Sequence, residues 1–196
     1  EFSITQVLTN GLHVVKVIWL NSGGEGVAAS IKTFTGEDMP QIPTEVTAVA
    51  EESGKVTLSW TLPEAGINGG WVNLTKVSYD ILRNGESLST DIKETTYIDN
   101  LPENELKSYK YTVIVKFGGE ECGSVESNSV VFGKAVSLPY EQTFEDASSF
   151  DLLNIIDNNG DGVTWQFDTG QFSAGYTFSA DNAADDYLVL PKMTFK

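Results

Sequence analysis

Histidine, cysteine and positive charge are scarce in this sequence, and each shortage removes a class of chemistry. His13 is the only histidine in 196 residues. A single imidazole excludes His-dependent triads and dyads, and a lone His in an alternating segment reads as a core or corner residue. Cys122 is the only cysteine. It cannot form an internal disulfide, and no histidine lies near it in sequence to draw out a thiolate. Lys and Arg total 12 against 28 Asp and Glu, a formal charge of −16. Such a chain cannot displace counterions from a phosphate backbone and is repelled by anionic lipid, so neither nucleic acid nor membrane insertion is expected. The same acidity suits a divalent cation and keeps an extracellular protein in solution.

No apolar run reaches membrane-spanning length, and no signal peptide is visible. The chain opens at Glu1-Phe2-Ser3-Ile4 without a methionine, in strand-like sequence, so its ends read as cuts from a longer polypeptide. With 18 Gly but only 6 Pro it is neither collagen-like nor of low complexity. At 40% hydrophobic it carries material for one large core or two modest ones.

Helical periodicity is nearly absent, and period-two alternation takes its place. Strands are predicted at residues 12–19, 27–34, 46–49, 56–60, 77–82, 96–98, 111–117 and 125–132. Asn84-Gly85 between two such runs is a two-residue hairpin signal. Short strands with turns between them predict an all-β fold of sandwich type. An internal repeat supports it. His13-x-Val15-x-Val17, a Gly-Gly-Glu turn and Phe34-Thr35-Gly36 return as Tyr111-x-Val113-x-Val115, Gly118-Gly119-Glu120 and Phe132-Gly133. A Pro-containing acidic stretch follows the first copy and residues 133–139 follow the second. Both read as solvent-facing linkers that divide the chain into residues 1–38, 43–133 and 138–196.

Residues 43–133 resemble a fibronectin type III domain. The resemblance is carried by Pro43-x-x-Val46-Thr47-Ala48, Val56-Thr57-Leu58-Ser59-Trp60-Thr61-x-Pro63, Val77-x-Tyr79-x-Ile81-x-Arg83, Tyr97-x-Asp99-x-Leu101 and Tyr111-x-Val113-x-Val115. It implies an immunoglobulin-like sandwich with Trp60 buried between sheets and Tyr111 as the corner tyrosine. Residues 1–38 resemble only the last third of such a domain, with His13 where Tyr111 stands. Trp71, in Gly69-Gly70-Trp71, either packs over a sheet edge or presents a binding surface.

From Leu138 the texture changes. Asp157, Asn159 and Asp161 alternate before Gly162, and Asp168 falls at the twelfth position, the D-x-N-x-D-G opening and closing carboxylate of a calcium loop. A hard cation needs several oxygens converging on one point, and a tight glycine turn lets alternate side chains supply them. The same residues also suit a plain polar turn. The alternating run Val163-Thr164-Trp165-Gln166-Phe167 excludes a helix after the loop, and residues 150–156 are open between a short helix and a strand.

Residues 138–196 resemble the N-terminal part of a cleaved-adhesin, or choice-of-anchor J, jelly roll of the kind found in gingipain-type haemagglutinin regions. Leu138-Pro139-Tyr140, Phe144-Glu145, the Asp157–Trp165 run and Ala184-Asp185-Asp186-Tyr187-Leu188 carry this second resemblance. It implies structural calcium held also by Glu145, Asp185 and Asp186, and a jelly roll completed by a partner chain or by further sequence. The function it implies is a non-catalytic adhesion region of a larger secreted or surface bacterial protein that meets host protein or glycan. The alternative is an accessory spacer and substrate-binding region of a secreted protease or glycosidase whose catalytic domain lies elsewhere. Asp185 and Asp186 are adjacent on a strand and so face opposite ways, which disqualifies them as an acid–base pair. Trp71, Tyr176 and Phe178 are the candidate contact aromatics.

Overall fold

The computed structural model describes residues 8–171, 173–176 and 185–194. Among the described residues the structure is all-β apart from one helical turn and one 3-10 turn. It divides into two compact units, Glu1–Thr47 with Ser59–Tyr97 and Tyr111–Ser127, and Ala48–Leu58 with Ile98–Lys110 and Asn128–Lys196.

The first predicted pair of strands forms as β1 (Gly11–Val17) and β4 (Ala29–Thr35), antiparallel with Leu12 opposite Phe34 and Val15 opposite Ile31. Between them the glycine turn builds its own small hairpin, β2 (Leu20–Asn21) with β3 (Gly24–Glu25). The Asn21 side chain closes that turn by accepting the Gly23 N–H at 2.8 Å. His13 Nε2–H donates to the Thr9 carbonyl at 2.7 Å, a local contact four residues back along the chain.

The middle of the chain supplies β5 (Val46–Ala50), β6 (Lys55–Trp60), β7 (Val77–Arg83), β8 (Glu86–Ile92) and β9 (Thr96–Asn100). It continues with β10 (Lys107–Tyr109), β11 (Tyr111–Phe117), β12 (Glu120–Glu126) and β13 (Val130–Phe132). Strands β12-β11-β7-β8 make a four-stranded antiparallel sheet, and β5-β6-β9 make a three-stranded one. This is the sandwich that the alternation predicts: Val56, Leu58, Tyr79, Ile81, Tyr111, Val113 and Val115 are all within 1% of complete burial. Asn84-Gly85 makes the expected β7–β8 turn, with both residues at positive φ (49° and 83°) and Arg83 opposite Glu86.

One predicted strand is corrected. Residues 125–132 are not continuous: β12 pairs with β11, whereas β13 pairs with β10. The break at residues 127–129 has a local cause. Ser127 Oγ accepts the Tyr111 N–H at 3.1 Å, and the Asn128 side chain takes the Ala48 N–H and carbonyl at 2.8 and 2.9 Å. Side chains thus satisfy backbone groups that a continued ladder would use.

The first linker is corrected as well. Asp38 is 2% exposed and Pro40 fully buried, so residues 37–41 are not a solvated tether. Glu37 bridges to Trp71 and Pro40 to Gly66 in ladder fashion, because backbone donors and a buried carboxylate find partners in the loop alongside.

The C-terminal part holds β14 (Val136–Ser137), α1 (Ala147–Phe150), β15 (Asn154–Asp157), β16 (Gln166–Asp168), β17 (Ser173–Gly175), β18 (Asp186–Val189) and β19 (Met193–Thr194). Residues 150–156 are therefore the end of a helical turn followed by a strand. Asp146 caps α1, its Oδ1 accepting the Ser149 N–H at 2.8 Å. Strand pairs β14–β19, β15–β18 and β16–β17 have two members each. Its apolar centre is small: Phe150 and Leu153 are buried, and Phe144 and Phe167 lie 6.5 and 5.9 Å from the Phe150 ring.

Candidate functional site

The acidic loop folds around its own first residue. Asp157 closes β15, and its Oδ1 accepts the Gly160 N–H at 2.7 Å and the Asp161 N–H at 3.3 Å. Its Oδ2 accepts the Gly162 N–H at 2.8 Å. Asp161 accepts the Val163 N–H at 2.7 Å and the Asn159 side-chain amide at 3.1 Å. A run of Asp, Asn and Gly folds this way because short polar side chains bond the backbone two to five residues on.

Strand pairing brings the other acidic dipeptide to the loop. Asp157 stands directly opposite Asp186 in the β15–β18 register. Asn158 donates from its backbone to the Asp185 carbonyl at 3.1 Å and from its side chain to Asp185 Oδ2 at 2.6 Å. Asp186 differs from its neighbours: both carboxylate oxygens are buried without a hydrogen-bond partner. An uncompensated buried carboxylate is among the costliest groups a fold can hold. Thr164 Oγ1 and Trp165 Nε1 are orphaned in the same way.

Tyr176 gathers these acids. Its ring lies 5.8 Å from that of Trp165. Burial, then the Asp186 side chain beside it through both hydrogen bonding and charge, and then the charges of Asp161 and Asp157, push its phenol above the ordinary value. The Tyr187 phenol is pushed up by Asp185. Tyr176 is thus half-buried beside carboxylates.

The remaining predicted ligands lie apart. Asp168 ends β16 and closes the β16–β17 turn, accepting the Gly170 and Gln171 N–H groups at 2.8 and 3.2 Å. Glu145 is exposed, next to the residue that caps α1. Among the described residues no three His, Cys, Asp or Glu side chains converge at metal-binding distance. Asp157, Asp161 and Asp186, the predicted ligands whose charges reach the Tyr176 phenol, do not form such a group either.

The aromatic candidates separate. Trp71 is 65% exposed while its backbone is held, the Asp38 N–H donating to its carbonyl at 2.8 Å. Phe178 lies outside the described residues. Sequence reasoning missed Asp38, whose carboxylate accepts four hydrogen bonds. No local signal marks it, because the glycine-rich Gly66-Ile67-Asn68-Gly69-Gly70 that supplies the donors lies far along the chain from Asp38.

No family model and no curated protein matches the chain. Solved structures do. The rat CD45 extracellular region, domains d3–d4, aligns at 12% identity with a TM-score of 0.37, covering 67% of this chain and 68% of that one. The chicken CNTN1 FN1–FN3 domains align at 12% identity with a TM-score of 0.34, covering 86% of this chain. The chain spans 62% of that second structure's length. No helix among the described residues is long and apolar enough to cross a membrane.

Proposed function

We propose that the chain is a non-catalytic binding and spacer region of a larger secreted bacterial protein, in which calcium secures the C-terminal strands. Host protein or glycan is the class of partner this reading assigns, following the adhesin resemblance of residues 138–196. The observation that carries the calcium reading is the Asp186 carboxylate, buried without a partner and facing Asp157 across the β15–β18 ladder. A hard divalent cation supplies the counter-charge that burial demands, and Asp157, Asp161 and Asp186 are the side chains that would hold it.

The non-catalytic part of the reading rests on what the nucleophile and base candidates do. His13 is committed to the Thr9 carbonyl. Burial and then Glu121 push the Cys122 thiol up, away from the reactive thiolate. Asp185, just before β18, is exposed, and Asp186, the first residue of that strand, is half-buried.

Calorimetric titration of the full chain with calcium, beside an Asp157→Ala, Asp161→Ala double variant and with magnesium as control, tests the ion. Saturable calcium binding lost in the variant, with a calcium-dependent rise in Tm for the native chain alone, is the expected result. Equal heats in both chains would sink it.

A further inference from the structure

The segment between the N-terminal hairpin and the middle strands is built as a fixed joint. Asp38 sits in it with 2% of its surface exposed. Its Oδ2 accepts the Asn68 N–H at 2.8 Å and the Gly70 N–H at 3.0 Å, and its Oδ1 accepts the Asn68 side-chain amide at 2.9 Å and the Met39 N–H at 2.9 Å. Successive N–H groups of a glycine-rich loop form an anion-binding concavity, and here the anion is internal. The loop glycines are needed for room: a Cβ on Gly66 would overlap the Asp38 carboxylate, and one on Gly70 the Phe34 ring of β4.

The backbone continues the attachment on both sides. Asp38 N–H donates to the Trp71 carbonyl at 2.8 Å, Ile67 N–H to the Met39 carbonyl at 2.9 Å, and Gln41 N–H to the Ala65 carbonyl at 3.3 Å. Gln41 Nε2 reaches the Gly66 carbonyl at 3.2 Å, and Lys76 pairs with Glu37 at 2.6 Å. A flexible tether would leave these backbone groups to water, whereas here residues 37–41 lie along residues 65–71 like an added strand.

We propose that Asp38, seated in the loop Gly66–Gly70, is a joint lock that makes the β1–β4 hairpin and the β7–β11 sheet turn as one body. The mechanical consequence is a stiff spacer at this point in the chain. The lock is independent of the calcium reading, which concerns residues 157–186.

Nitrogen-15 relaxation and amide exchange on the full chain test it. In the native chain the amides of β1 and β4 should share one tumbling time with those of β7 and β11. In Asp38→Ala the hairpin amides should tumble faster and the Ile67 and Gly70 amides exchange at least about tenfold faster, with Val113 and Val115 unchanged. Lys76→Met, which removes the Glu37 ion pair and the ammonium over the Phe117 ring but leaves the Asp38 seat untouched, should leave the shared tumbling intact. A hairpin that already tumbles alone in the native chain, or exchange unaltered in Asp38→Ala, overturns the proposal. If Asp38→Ala unfolds the sandwich as a whole, Gly70→Ala attacks the same joint from the loop side, and unchanged tumbling there overturns it equally.

Discussion

The rings of Trp60 and Tyr79 meet edge to face, with centroids 5.2 Å apart and planes at 69°. They lie on β6 and β7, one from each sheet of the middle sandwich, and Tyr79 is 1% exposed. Both polar ends, the Trp60 indole nitrogen and the Tyr79 phenol oxygen, are buried without a hydrogen-bond partner. Burial pushes the phenol up, with the Trp60 indole N–H acting in the opposite direction. Packing, then, is what this pair contributes. Tyr79→Ala should lower stability by about 3–5 kcal/mol, the range for truncating a buried aromatic. Tyr79→Phe removes only the orphaned hydroxyl and should fall within about 0.5 kcal/mol of the native chain or above it. Urea unfolding followed by tryptophan fluorescence separates the two, and a large loss in the Phe variant would mean the hydroxyl is bonded after all.

The four-stranded sheet carries a half-sheltered ion pair. Lys116 Nζ lies 2.5 Å from Asp80 Oδ2, and Asp80 Oδ1 accepts the Asp91 N–H at 2.9 Å. Burial works to raise the Asp80 carboxyl, but the Lys116 ammonium and the Asp91 N–H outweigh it and hold it below the usual range. A depressed carboxylate contributes stability that is present above its unfolded value, about 4, and lost as pH falls through the folded value. Lys116, raised by Asp80, contributes stability lost only as pH rises through its folded value. Lys116→Met should therefore lower the Tm at pH 7, and the gap from the native chain should close below about pH 4. A gap independent of pH would assign the loss to packing of the lysine stem.

Two glycines should respond differently to alanine. Gly85 has φ 83° with nothing within 4 Å of an added Cβ, so Gly85→Ala meets only backbone strain and should cost about 1–2 kcal/mol. At Gly133 a Cβ would also overlap the Glu105 carbonyl, so its alanine variant should cost more. Parallel denaturant titrations rank them. The reverse order would mean that the chain beside β10 yields more easily than the β7–β8 turn.

Asp186→Asn gives the calcium reading a signature of opposite signs. Without calcium, neutralising a buried carboxylate that faces Asp157 should raise the Tm, because it removes like-charge repulsion and an unpaired buried charge. With calcium in excess the same change should erase the ion's stabilisation. Thermal melts in chelator and in millimolar calcium read both arms. A variant less stable than native in chelator would show that Asp186 is already compensated.

What the sequence by itself determined is local. Alternation marks β6, β7 and β11 to within a residue or so, because a period-two side-chain pattern with one buried face leaves a strand a single register. Asn84-Gly85 marks its hairpin because both residues tolerate positive φ. Asp157, Asn159 and Asp161 announce a tight polar turn through side chains that bond the backbone a few residues away.

Tertiary structure decided everything that depends on distant partners. Strand pairing sets Asp157 against Asp186, while Asp168, much nearer in sequence, turns to cap its own hairpin. The break at Ser127 needs Tyr111, and the course of Asn128 needs Ala48. Asp38 reads as a solvated linker residue until the Gly66–Gly70 loop folds around it. A carboxylate's burial follows from the donors that long-range packing brings to it, and local sequence holds no record of those donors.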